Sequence, residues 1–177
     1  MLIFDIETNG LIPDVTAIHC LVIYDTETDQ TITYNDQAFK KSTDSPASEP
    51  IVRGIQHLED SDAICGHNII GYDLPVIKRL YPWFGYPPIC IDTLLLSRLY
   101  HSNMIGIDKK HNWNHMPLGL YGRHSLESYG YRLGEFKGSF STHTDWKDWS
   151  PEMEDYCRTD VSITNKLWKH FQKKLIH

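Results

Sequence analysis

Residues 2–8 read LIFDIET, an apolar run into which Asp5 and Glu7 are set two positions apart. The β-branched and aromatic content predicts a strand over residues 2–7. Side chains two apart on a strand share a face, so both carboxylates point the same way. Acids on a strand otherwise built of Leu2, Ile3, Phe4 and Ile6 cost free energy unless a cation or hydrogen bonds compensate them. A strand with one solvated face would accommodate them as well.

Working outward, residues 17–25 (AIHCLVIYD) and 30–34 (QTITY) predict two further strands, with Thr26 to Asp29 as the turn of a hairpin. The polar stretch 36–49, which holds Pro46, reads as a loop. Ile51, Ile55 and Leu58 then recur at helical spacing. Ala63 to Cys65 predicts a short buried strand ending at Gly66, His67 and Asn68. From about Tyr72 a helix carries Leu74, Ile77 and Leu80 and is stopped by Pro82. Ile89 to Ile91 reads as another short strand, and Thr93 to Tyr100 as a buried helix.

Residues 101–123 lack periodicity and predict a long exposed loop. Leu126 to Leu133 predicts a short helix or turn, followed by irregular chain over 134–149. The last helix is well marked: Ser150 at the N-cap, Pro151 at the first position, then Glu152, Glu154 and Asp155. Lys166, Lys169, Lys173 and Lys174 lie toward its other end, in keeping with the helix dipole.

The 177 residues are expected to form one α/β domain, 1–177. Seventeen basic residues against twenty-three acidic ones leave a net charge of −6, so nucleic acid would not be held by overall charge. Contact with phosphate must be local or carried by metal ions. No apolar run is long enough to span a bilayer, and MLIFDIETNG lacks a basic leader region, so no membrane partner is expected. Cys20, Cys65, Cys90 and Cys157 are widely spaced and read as free thiols in a reducing, cytoplasmic setting. His111 and His115 are four apart but fall in the presumed loop, which argues against zinc.

Three further groups bear on chemistry. Asp73 in HNIIGYD sits at a helix start, where a carboxylate could simply favour the dipole. Tyr156 and Asp160 in DYCRTD are four apart and share a helix face. Asp92 in IDT reads as a structural acid. Each is weak alone.

In order along the chain, DIET, VIYD, HN…YD, CIDTLLLSRLYHSN, SLESYGYRLGEFKG and DYCRTDV resemble the DEDD superfamily of 3′–5′ exonucleases, in its tyrosine subclass. The set is similar to the proofreading domain of family A DNA polymerases from short-tailed phages. That resemblance implies a ribonuclease H-like fold: a five-stranded mixed sheet, three strands in an antiparallel meander and two parallel, with helices on both faces. It implies two divalent ions, Mg²⁺ or Mn²⁺, held by Asp5, Glu7, Asp73 and Asp160. Asp5 would bridge the pair, Glu7 and Asp160 complete one site, and Asp73 serve the other. Tyr156 would orient the attacking water. Thr8, Leu11, Asn68 and Tyr72 match positions along the path of the substrate strand, Leu11 as an apolar wedge between bases, although packing near a turn would explain Leu11 equally well.

The implied activity is removal of nucleoside 5′-monophosphates from single-stranded or frayed DNA 3′ ends, in phage replication or proofreading. Arg98, Lys109, Lys110, Arg123 and Arg132 are candidate local cations, while Lys166, Lys169 and Lys173 read as a solvated helix end. With the chain stopping at His177, a stand-alone enzyme or a module working with a separate DNA polymerase is expected, in the host cytoplasm if phage-encoded. Two other readings stay open, an exoribonuclease and a non-catalytic nucleic-acid-binding module of the same fold.

Overall fold

In the computed structural model, residues 1–37, 49–111, 113, 115–135 and 145–175 are described. Five strands form one sheet in the order β3-β2-β1-β4-β5. β1 (Leu2–Thr8), β2 (Ile18–Asp25) and β3 (Gln30–Tyr34) make an antiparallel meander, and β4 (Ala63–Gly66) and β5 (Ile89–Asp92) run parallel to β1. The helices among the described residues are α1 (Ile51–Glu59), α2 (Asp73–Leu80), α3 (Thr93–Tyr100), α4 (Met104–His111), α5 (Leu126–Leu133) and α6 (Pro151–Leu175). The meander, the parallel pair and helices on both faces agree with the expected ribonuclease H-like sheet.

β1 lies at the centre, and its alternation sorts the two layers. Leu2, Phe4 and Ile6 join one core with Leu21 and Ile23 of β2, Ile51, Ile55 and Leu58 of α1, and Leu74 and Ile77 of α2. Ile3 faces the other side, where Cys20, Val22 and Cys65 pack against Met153, Cys157 and Val161 of α6. Asp5 and Glu7 continue that second face. The register of β1 on β2 shifts between Glu7 and Thr8. Such irregularities re-aim side chains next to active sites.

Local signals explain several boundaries. The β2–β3 turn closes on the Asp25 carboxylate, which accepts from Glu27 N at 2.9 Å and Thr28 Oγ1 at 2.9 Å. Ser150 caps α6 by accepting from Met153 N at 3.2 Å. At the end of β4, a side chain at Gly66 would meet Ile69 and, at 3.0 Å, the Phe4 carbonyl oxygen, so only glycine lets the chain leave the sheet so close to β1. All four cysteines are free thiols.

Two expectations are corrected. Residues 101–123 are not one long loop, because α4 (Met104–His111) and a short 3-10 helix (Leu118–Leu120) lie within them, and His111 ends a helix. α4 escapes a hydrophobic pattern because it buries only Met104 and Asp108, and Asp108 is charged. α3 exists as expected but turns its polar side inward. Thr93 and Ser97 are buried, while Leu95 and Leu99 are 49% and 71% exposed. Its inner face combines the hydrogen bonds of Thr93 and Ser97 with Leu96 and Tyr100 packed against the cluster around Phe171. The polar stretch 38–48 and residues 136–144, expected to be irregular, lie outside the described residues.

Asp108 anchors the region after α3. Its carboxylate accepts from Arg132 Nε at 2.9 Å and Nη2 at 2.7 Å, from Trp113 Nε1 at 2.9 Å and from Gly122 N at 2.7 Å. Burial alone would raise the Asp108 pKa, but these donors, Arg132 foremost, hold it below the ordinary carboxylate value. Arg132 is therefore spent inside the fold and drops out of the candidate cations for phosphate. Asp108→Ala strands a buried guanidinium and is expected to destabilise by about 3–5 kcal/mol. A thermal melt should then show a midpoint roughly 6–20 °C lower, at 2–4 °C per kcal/mol for a chain of this size. A change under 2 °C would show that the pair is not a structural anchor.

Candidate active site

The upper half of β1 lacks a neighbour on one side. β4 pairs with β1 only at Leu2 and Ile3, then ends at Gly66. The gap admits Asp73, the first residue of α2, which hydrogen-bonds with backbone amides at Asp73 itself and at Ile6. Asp92 holds the turn that delivers it. Its carboxylate accepts from Asn68 N at 2.9 Å and Ile70 N at 3.1 Å, and caps α3 through Leu94 N at 2.9 Å. The expected structural role of Asp92 is thus visible as the clamp between β5 and the turn before α2.

α6 closes the other side. The Cys157 Sγ approaches the carbonyl oxygen and Oδ2 of Asp5, both at 3.4 Å, which sets α6 on β1. Four residues apart on the same helix, Tyr156 and Asp160 reach one cleft. Asp5, Glu7, Asp73, Tyr156 and Asp160 together line an open cleft of about 680 Å³. Glu7, Asp73 and Asp160 are buried, while Asp5 and Tyr156 are half-buried.

The electrostatics follow from crowding. Burial pushes Asp73 up to about 7, helped by the charges of Asp92 and Asp160 and opposed by its backbone hydrogen bonds. Burial first, then the charges of Asp160, Glu7 and Asp5, raises Tyr156 far above the ordinary phenol value. Tyr156 therefore keeps its proton at any physiological pH. It can orient a water by hydrogen bonding but cannot serve as a base.

The donor set suits a divalent cation. Oxygen atoms of Asp5 and Glu7 and the sulfur of Cys157 lie within 4.8 Å of one another. Burial holds the Cys157 thiol well above its ordinary pKa, so it stays neutral, and hard cations prefer the carboxylates around it. Asp5, Glu7, Asp73 and Asp160 offer carboxylate oxygens from three separate elements.

The softer expectations land close by. Asn68 and Tyr72 line the main cleft. An adjoining cleft of about 290 Å³ is lined by Thr8, Leu11 and Tyr72, with Leu11 74% exposed. The Tyr72 hydroxyl donates to the Gly10 carbonyl at 2.6 Å and meets Thr8 Oγ1 at 2.6 Å, so these two hydroxyls brace the turn after β1. Trp146 lines both clefts and was missed, since its stretch of chain carries no periodic signal. It stands edge-on to Tyr156 at 6.2 Å, and its carbonyl accepts from His19 Nε2 at 2.9 Å. Arg98 and Arg123 of the candidate cations reach the cleft, whereas Lys109 and Lys110 are exposed on α4 and Lys166 pairs with Glu135.

Residues 2–172 match the family model described as the RNase H superfamily. The chain is 34% identical to the DNA-directed DNA polymerase of Escherichia phage T7 over 189 aligned positions, covering 94% of this chain and 26% of that protein. The polymerase of Enterobacteria phage T3 gives the same values. The chain thus spans about a quarter of the length of these curated relatives. Among solved structures, an apo nuclease superposes with a TM-score of 0.65 at 17% identity, over 99% of this chain and 72% of that one. The Aedes aegypti Nibbler EXO domain superposes at 0.61 and 11% identity, over 99% of this chain and 79% of that one. E. coli exonuclease I in complex with a dT13 oligonucleotide superposes at 0.59 and 18% identity, over 99% of this chain and 42% of that one. At these identities the structures bear on the fold alone.

Proposed function

The chain belongs to the RNase H superfamily, and we propose that it is a metal-dependent 3′–5′ exodeoxyribonuclease. One observation carries the reading: four carboxylates and one permanently protonated tyrosine converge on a single cleft from β1, α2 and α6. The relatives are DNA polymerases, which supports DNA as the substrate class. The chain would act on single-stranded or frayed ends, in phage replication or proofreading, by itself or together with a DNA polymerase. Free thiols fit a reducing compartment such as the host cytoplasm. Among the described residues no helix is long and apolar enough to cross a membrane.

Asp5, Glu7, Asp73 and Asp160 would hold two Mg²⁺ or Mn²⁺ ions. Such ions supply a hydroxide near neutral pH and offset the charge that builds on phosphate and leaving oxygen. The chain's own groups do the positioning. The Tyr156 phenol orients the attacking water toward phosphorus. The P–O3′ bond then breaks, the 3′ oxygen takes a proton from solvent and stays on the shortened strand as its hydroxyl, and the terminal nucleotide leaves as its 5′-monophosphate. Thr8, Leu11, Asn68 and Tyr72 would line the strand's path, with Leu11 set between the last bases.

With Mn²⁺ and a DNA oligonucleotide labelled at one end or the other, the 3′-labelled strand should yield mononucleotide first and the 5′-labelled strand a descending ladder. Early mononucleotide from the 5′ label would refute the polarity. A matched RNA oligonucleotide degraded as fast or faster would overturn the DNA assignment.

A further inference from the structure

The end of α3 meets the C-terminal part of α6 through two histidines. His101 ends α3, its amide donating to the Ser97 carbonyl at 2.9 Å, and His170 lies on α6. Their Nε2 atoms are 3.1 Å apart, with the ring planes 30° from parallel. Both rings rest on the fully buried Phe171, with centroids at 5.6 Å for His101 and 5.0 Å for His170. Phe171 in turn stacks on Tyr100 at 5.9 Å. This aromatic bed holds the two imidazoles in place, while His170 is exposed and leaves the outer side open to water. Neither histidine lines the carboxylate cleft.

Two ring nitrogens this close cannot both turn a proton toward each other. Without a metal, one Nε2–H donates to the lone pair of the other Nε2. Burial, then the positive charge of Lys174, lowers the pKa of both rings. His170, His124 and Arg132 act further on His101, and Lys173 on His170. The pair is therefore neutral near pH 7. The one Nε2 proton can pass to Nδ1 of its own ring through water, with no net change in protonation, and both Nε2 lone pairs are then free.

The spacing suits a shared ion. With metal–nitrogen bonds of about 2.0–2.1 Å, two imidazoles on one ion stand roughly 2.9 Å apart at a right angle and roughly 3.3 Å apart at the tetrahedral angle. The observed 3.1 Å lies between the two. Donor chemistry selects the class of ion. Neutral imidazoles beside basic residues offer little to a hard cation such as Mg²⁺, whereas Cu²⁺, Ni²⁺ and Zn²⁺ bond strongly to nitrogen.

We propose that His101 and His170 form a two-nitrogen site for a borderline divalent transition ion, Zn²⁺, Ni²⁺ or Cu²⁺, which staples the end of α3 to α6. Water fills the remaining positions on the ion. The inference is independent of the exonuclease reading.

The test adds Zn²⁺, in excess Mg²⁺, to the wild type and to Asp5→Asn, in which the carboxylate site is weakened. With the histidines labelled by ¹⁵N, one equivalent of Zn²⁺ should shift the Nε2 resonances of His101 and His170 together in the Asp5→Asn chain. His101→Ala or His170→Ala should each weaken this site about a hundredfold, because a chelate that loses one arm loses the advantage of the other. At a hundredfold excess over Kd, Zn²⁺ should raise the melting midpoint by about 5–10 °C through this site, and either substitution should remove that rise. His170→Gln, which keeps a polar side chain at an exposed helix position but no ring nitrogen, should behave as His170→Ala does. Zinc that leaves both Nε2 resonances unmoved would overturn the proposal. So would zinc affinity that survives either substitution unchanged.

Discussion

Asp160→Ala should abolish nearly all hydrolysis, and Tyr156→Phe should leave a measurable fraction. Asp160 is buried at the cleft on α6 and would contribute a carboxylate oxygen to cation binding. Its loss removes charge stabilisation worth several kcal/mol in the transition state, or roughly 10³-fold and more in rate. Tyr156 is different because it stays a neutral phenol. Removing its hydroxyl loosens the attacking water without emptying the cation site, a positional effect of about 10²-fold. Single-turnover rates with Mn²⁺ on a short DNA oligonucleotide would separate the two. Thermal melts would confirm that Asp160→Ala, which removes a repelling charge, remains folded. If Tyr156→Phe were as inactive as Asp160→Ala, the orienting role would be wrong.

Asp5→Asn should raise the melting temperature of the metal-free protein and remove most of the stabilisation that manganese brings. Asp5, Glu7, Asp73 and Asp160 crowd one cleft, and like charges held together oppose folding. Relief of one such repulsion is on the order of 1 kcal/mol, or about 2–4 °C in a chain of this size. An ion that binds only the folded state adds about 2.7 kcal/mol at a hundredfold excess over its Kd. Structural acids would behave in the opposite way, with a lower melting point for Asp5→Asn and a manganese shift left intact.

Asp73 adds a pH dependence to the same measurement. Unfolded, its carboxyl ionises at the ordinary value of 3.8, whereas in the metal-free fold burial and the facing acids Asp92 and Asp160 hold the proton up to about 7. Between these values the folded state binds more protons than the unfolded one, so stability rises as pH falls from about 7 toward 4. Asp108 has the opposite sign. Its lowered pKa stabilises above 3.8, and that contribution is lost only in more acidic solution. In chelator the wild-type midpoint should therefore climb relative to that of Asp73→Asn as pH falls from 7.5 to 5, the difference separating Asp73 from His101, His124 and His170, whose lowered pKa values act in the opposite sense. A constant difference between the two proteins would mean that Asp73 is ionised in the metal-free fold.

What the sequence determined by itself was local. Apolar and β-branched runs define β1 and β2, alternation defines β3, Ile51, Ile55 and Leu58 define α1, and Ser150 with Pro151 starts α6. Spacing placed Asp5 with Glu7 on one strand face and Tyr156 with Asp160 on one helix face. Each signal needs only neighbours within a turn or two, so chain order suffices to read it. The tertiary structure decided the rest. The early end of β4 opens a gap beside Ile6 that Asp73 fills, a fact about two strands rather than one. α3 faces inward with Ser97 because His124 and Tyr129, 27 and 32 residues away, satisfy its hydroxyl. Asp108 is buried because Arg132, 24 residues on, meets it with two hydrogen bonds. Hydropathy reads a buried charge as a surface residue. Burying that charge costs little only when its partner is in place, and the partner is brought there by the fold.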